Sequence, residues 1–239
     1  MNEDRLYELI REKEQTAAAV FPALMRKVYV WMTLALVITG FTAYSVANSP
    51  GIMQAIYANR MMMWGLLIAE VALVWYVSAR IDRLSLTTAT MLFVLYSVLN
   101  GATLSIIFMA YTMQSIASVF FITAGTFAAM SLVGVFTKKD LSPLGRILFM
   151  ALIGLIIATL VNAFLIKSGG FSLIVSYVGV LIFVGLTAYD TQKIKNMLIE
   201  ADDATEGAQK IALMGSLALY LDFINLFLYL LRIFGGNRE

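Results

Sequence analysis

Three carboxylates, Glu70, Asp190 and Asp222, are the residues whose placement could do chemistry. Of fifteen acidic side chains they alone fall within or at the edge of long apolar segments. An ionised side chain at membrane depth is costly unless it meets a partner or water. Asp222 lies inside LALYLDFINLFLYLLRIF, residues 217–234. On a helix Asp222, Asn225, Tyr229 and Arg232 line one face, and Leu, Ile and Phe fill the others. A helix that is apolar all round except for one polar seam belongs at the centre of a bundle, with the seam toward other helices or a wet cavity. The chain has no His and no Cys, so proton chemistry near neutral pH must use perturbed carboxylates. Asp190 closes the sixth apolar segment and Asp222 lies about a dozen residues along the seventh. Should these segments pack together, two carboxyls sharing a dry site could not both ionise readily, which makes such a pair a pH sensor. The plainer alternative leaves Asp190 in interface water and bonds Asp222 to backbone or Asn side chains. Glu70 is either a protonated acid bonded across helices to Asn100, Asn162 or a hydroxyl, or a group in an ion path.

The elements that must position these acids follow from hydropathy. The chain is 61% hydrophobic and 13% charged with mean hydropathy +0.85, which defines a polytopic all-α membrane protein. Seven spans are expected at about 28–47, 61–79, 86–109, 116–136, 147–166, 171–189 and 211–234. Asn48-Ser49-Pro50-Gly51 forms a turn after the first, and residues 111–115 divide a stretch too long for one crossing. Residues 1–27 form a charged N-terminal segment with no removable signal peptide visible, in which Leu6, Leu9, Ile10 and Lys13 have the spacing of a surface helix. Residues 28–236 make the transmembrane domain. With the N-terminus inside, thirteen of the seventeen Lys and Arg fall on the inner side, and only Arg60, Lys167, Arg232 and Arg238 outside. This bias gives an N-in, C-out expectation and a multi-pass protein of the plasma (inner) membrane. A net charge of +2 gives no reason to expect a nucleic-acid partner. Met61, Met62 and Met63 read as flexible packing and Trp31, Trp64 and Trp75 as interfacial anchors.

Four motifs together resemble the Bax inhibitor-1 family, also called the transmembrane Bax inhibitor motif family. They are Tyr220-Leu221-Asp222-Phe223-Ile224-Asn225-Leu226-Phe227 with Leu230-Leu231-Arg232; Tyr189-Asp190-Thr191-Gln192; Lys138-Lys139-Asp140-Leu141-Ser142; and Glu70 in the second span. The resemblance covers residues 28–236. It implies a seven-helix fold with six helices wrapped around the last, and a calcium leak that responds to pH. By position it implies that Asp190 and Asp222 form the hydrogen-bonded proton sensor and that Glu70 lies in the ion path. It further implies that an Arg near the inner end of the second span, Arg80 or Arg83, latches onto Asp190. Asn225 and Tyr229 would then be polar groups of the pore seam.

Three functions compete. The first is a calcium-permeable leak channel gated by protonation of the Asp190 and Asp222 pair, holding calcium there weakly in passage and needing no resident cofactor. The second is a non-conducting regulator that binds a membrane protease or other membrane-protein partner, with the acidic stretch Glu200, Asp202, Asp203 and Glu206 as its surface. The third is an intramembrane aspartyl protease, for which the Gly-x-Gly-Asp motif is missing before Asp222. The first two readings expect no enzyme.

Overall fold

A computed structural model describes residues 3–201 and 205–236, with only the backbone described for residues 3–20 apart from Arg5. Asp202, Asp203 and Arg238, and the side chains of Leu6, Leu9, Ile10 and Lys13, lie outside the described residues. Seven helices are long and apolar enough to cross a membrane: Phe21–Ala47, Arg60–Arg80, Leu86–Ala110, Met113–Phe136, Ser142–Ile166, Gly169–Glu200 and Glu206–Phe234. The first span continues a helix that begins at Glu3, and the rest of the described residues are turn or short helix, so this is an all-α polytopic protein.

Besides the early start of the first helix, three boundaries differ from the sequence expectation. The sixth helix does not stop at Asp190 but runs on to Glu200, because a helix that leaves an apolar layer can continue in water while its backbone stays paired. The seventh begins at Glu206, capped by the Thr205 hydroxyl. The turn at Asn48-Ser49 leads at once into a short helix, Pro50–Ala58, started by a proline where its missing N–H is harmless. The third span is itself broken. Its helix Leu86–Leu104 is followed by a turn at Ser105–Ile106 and one more helical turn, Ile107–Ala110.

The last helix is the most buried, with 67% of its most apolar stretch inside the protein against 6% for the fifth. The first, third, fourth and sixth spans pack directly on it, whereas the second attaches chiefly through the third and the fifth chiefly through the sixth. Lipid is as apolar as leucine, so helices in it associate through close fit, and small residues permit that fit. Gly134 of the fourth span lies under the backbone carbonyl of Ala188, which a Cβ would strike. Gly179 of the sixth lies under the Tyr229 ring, 2.7 Å from where its Cβ would be.

Gly134→Ala is therefore expected to lower the melting temperature of the purified protein in detergent, by overpacking of about 1–3 kcal/mol. Gly154→Ala, with open space around it, is expected to leave the melting temperature unchanged or raise it, through a stability gain of up to about 0.5–1 kcal/mol. Equal effects at the two positions would contradict the packing described.

Candidate functional site

The sixth and seventh helices form an antiparallel hairpin whose register is fixed by two close approaches, Gly215 against Ile194 and Gly179 against the ring of Tyr229. Asp190 and Asp222 fall between these contacts, on facing sides, and their carboxyl groups are close enough to share a hydrogen bond. Asp222 is only 5% exposed and Asp190 is half-buried. The Oδ2 of Asp222 has no N–H or O–H partner in the surrounding protein. Buried polar oxygens nearly always find a donor. Here the group facing Asp222 is another acid, and a direct bond between two carboxyls requires a proton on one of them.

The pair opens onto a cleft of about 860 Å³ between the fifth, sixth and seventh spans. Asn225 and Tyr229 line it together with Asp222, as their helical spacing requires. Asn225 returns its side-chain amide to the Leu221 carbonyl at 2.8 Å, while Tyr229 stacks on Phe183 with ring centroids 5.9 Å apart. Arg232, three residues further on, donates to the Ser172 hydroxyl at 3.4 Å.

Arg80 and Arg83, the candidate latch, do not reach Asp190. Both are exposed, while Ile81 and Leu84 beside them pack on the core. The physical reason is the attachment of the second span to the third rather than to the sixth. The cations beside the acid pair are Arg146 and Lys193, both on the rim of the cleft.

Two motifs that were separate in the sequence meet here. The Gln192 side chain accepts from the Leu141 amide at 2.8 Å and donates to the Lys139 carbonyl at 2.9 Å. Three residues on, the Lys195 ammonium caps the Val135 carbonyl at 2.6 Å. The loop between the fourth and fifth spans is thus clamped to the sixth helix two residues beyond Asp190. Within that loop Asp140 accepts from the Ser142 amide at 2.9 Å, and bonds to Ser142 hold its carboxyl below the usual range. A depressed carboxyl stabilises the fold above its unfolded pKa and loses that contribution as pH falls through the folded one.

Glu70 belongs to a second polar cluster on the other side of the last helix. Buried at 8% exposure, it accepts from Asn100 at 3.2 Å and from the Thr103 hydroxyl. Asn162, also considered for it, instead closes its own turn on Ser168. The Tyr220 hydroxyl donates to the Asn100 side-chain oxygen at 2.9 Å and lies 2.7 Å from the Thr39 hydroxyl. Tyr220 stands in the C-terminal signature, but its partners on the first and third spans were not legible there. The one clue was chemical: a buried tyrosine needs a partner for its hydroxyl. Glu206, offered as part of an acidic surface, is engaged within the protein, accepting from the Leu86 amide at 3.2 Å and pairing with Lys210 at 3.2 Å.

A seven-span helical bundle with facing acids on its last two helices, and with the loop between the fourth and fifth spans bonded to the sixth helix beside one of those acids, is a membrane protein of the Bax inhibitor-1 class. The chain belongs to that family: the family model described as "Inhibitor of apoptosis-promoting Bax1" matches residues 22–239. Among its relatives, the Escherichia coli inner membrane protein YbhL is 55% identical over 215 residues, covering 90% of this chain and 92% of that protein. An uncharacterised protein of Borreliella burgdorferi is 43% identical over 234 residues, 98% of this chain and all of its own length. One from Deinococcus radiodurans is 41% identical over 215 residues, 90% of each.

An amide at position 222 carries its own donor toward Asp190. Asp222→Asn is expected to melt in detergent at neutral pH no lower than the unaltered protein. Asp222→Ala, which leaves a void and an unpartnered Asp190, is expected to lose about 1–3 kcal/mol. An Asn variant less stable than the Ala variant would contradict the facing-acid geometry.

Proposed function

We propose that this protein is a pH-sensitive calcium leak channel of the inner membrane, with its N-terminus in the cytoplasm, and that it conducts rather than catalyses. The observation that carries the reading is the Asp222 carboxyl, facing Asp190 and otherwise without a donor for Oδ2. With one shared proton the pair is closed. With none, two negative charges confront each other in a poorly hydrated site, and the sixth and seventh helices are pushed apart. Protonation thereby biases two arrangements of the bundle. A difference of one pKa unit between them shifts their populations about tenfold.

Calcium suits such a site only in transit. It takes six to eight oxygen ligands in a stable site. Among the described residues, no group of three or more Asp, Glu, His or Cys is placed to hold a metal ion. Asp190 and Asp222 together, with Glu70 across the last helix, would bind the ion weakly and let it go. Arg146 and Lys193 at the rim of the cleft would make its occupancy by a cation sensitive to the charge of the acid pair. The cellular location rests on the inner-membrane relative and on the excess of Lys and Arg on the N-terminal side. The lipid bilayer is the partner this reading requires.

The test is calcium efflux from liposomes containing the purified protein across a pH series, beside Asp222→Asn. The unaltered protein is expected to change its efflux about tenfold per unit of pKa difference between its two states, and the variant to lose that dependence while remaining in the membrane. Efflux at the level of empty liposomes would refute the channel, and an unchanged pH profile in Asp222→Asn would refute the sensor.

A further inference from the structure

Tyr57, on the short helix after the first span, is inserted into the break of the third. Its hydroxyl donates to the Thr103 carbonyl at 2.7 Å and accepts from the Ile106 amide at 3.1 Å. It lies 3.1 Å from the Ser105 hydroxyl and 3.4 Å from the Ala102 carbonyl. In an unbroken helix such amides and carbonyls bond to backbone groups four residues away. A side chain entering that ladder is a recognised cause of a helix break. Thr103 then joins this point to the middle of the membrane, because its own hydroxyl donates to the Glu70 carboxylate.

The short helix is lightly attached. Its buried residues Met53 and Ile56 form, with Val46, a small cluster separate from the main core. Segments held by few buried apolar contacts open at the lowest cost. On its far side a cleft of about 690 Å³, lined by Gly51, Gln54, Asn59 and Arg60 among others, opens outward.

We propose that the helix Pro50–Ala58 is a lid and the Tyr57 hydroxyl its plug, closing an oxygen-lined site for a hard cation. The site comprises the Glu70 carboxylate with the hydroxyl and carbonyl of Thr103, and Ser105 lies beside it. The proposal rests on the reading of Glu70 as a group on the ion path and adds the gate above it. All the ligands are oxygens, which select calcium-like ions over soft metals. Backbone carbonyls released at a broken membrane helix coordinate cations in the same way. When the lid lifts, the phenol leaves the Ala102 and Thr103 carbonyls, and these become available to an ion arriving from the far side.

The absence of native cysteine gives a direct test. Ser105 is fully buried, and Ser105→Cys changes one atom. The full-length protein in lipid nanodiscs is treated with a charged, membrane-impermeant methanethiosulfonate. Ser105→Cys is expected to react slowly with Tyr57 in place, and about tenfold faster or more with Tyr57→Ala. Millimolar calcium should slow the second reaction, and Glu70→Gln should remove that protection. A cysteine at Ser216, equally buried in the last helix, should stay unreactive in both backgrounds.

Equal rates at position 105 with and without Tyr57, or a matching gain at position 216, would overturn the lid. Faster labelling without calcium protection would overturn the cation site. Labelling requires no ion flux, so its failure is distinguishable from a failure of the liposome assay.

Discussion

A polar group at membrane depth must find its partner inside the protein, and on the last helix Asp222 and Tyr220 seek theirs on opposite faces. Asp222 faces the sixth helix and meets only another acid. Tyr220, two residues earlier and so roughly 200° around the helix, faces the first and third and ends a hydrogen-bonded chain to Glu70. The edges of Phe93 and Tyr96 hold the Tyr220 ring at centroid distances of 5.9 and 5.8 Å. A rotation or shift of this helix that relieved the acid pair would also pull on the chain that orients Glu70. The two acid sites are therefore linked by one rigid element, which is the physical requirement for one to bias the other.

Rigidity is distributed unevenly around that helix. The fourth and sixth spans meet it closely, and Gly134, Gly179 and Gly215 let backbones and rings approach where a methyl group would not fit. The Gln192 and Lys195 bonds fasten the loop between the fourth and fifth spans to the sixth helix. The second span attaches through the third, and the short helix through a small satellite of buried residues. On the proposed channel reading, a half fastened closely around the acid pair and a more lightly attached half around Glu70 are the parts a gated path needs.

The sequence carried the spans well, because twenty-odd apolar residues in a row have few alternatives. It also carried the seam, since Asp222, Asn225 and Tyr229 share a face by spacing alone and line one cleft in the structure. Spacing alone could not say which helix answered the seam or in what register, because that depends on glycine contacts between distant segments; the family resemblance supplied Asp190 of the sixth as the partner. The sixth helix passed its apolar limit, as helix continuity depends on backbone pairing and not on hydropathy. The short helix Pro50–Ala58 hid behind a turn signal that proved to be a helix start. Arg80 and Arg83 were drawn toward Asp190 by resemblance, while the side chains of Ile81 and Leu84 turn their stretch of the chain into the core instead.

On the proposed reading Asp190 and Asp222 hold one proton between them while the bundle is closed. Infrared difference spectroscopy of the protein in lipid, unaltered against Asp222→Asn, reads that proton directly through the carbonyl stretch of a protonated carboxyl. A protonated-acid band present at neutral pH in the unaltered protein and missing from the variant is the result expected. Spectra in which the substitution removes only ionised carboxylate intensity would contradict the claim.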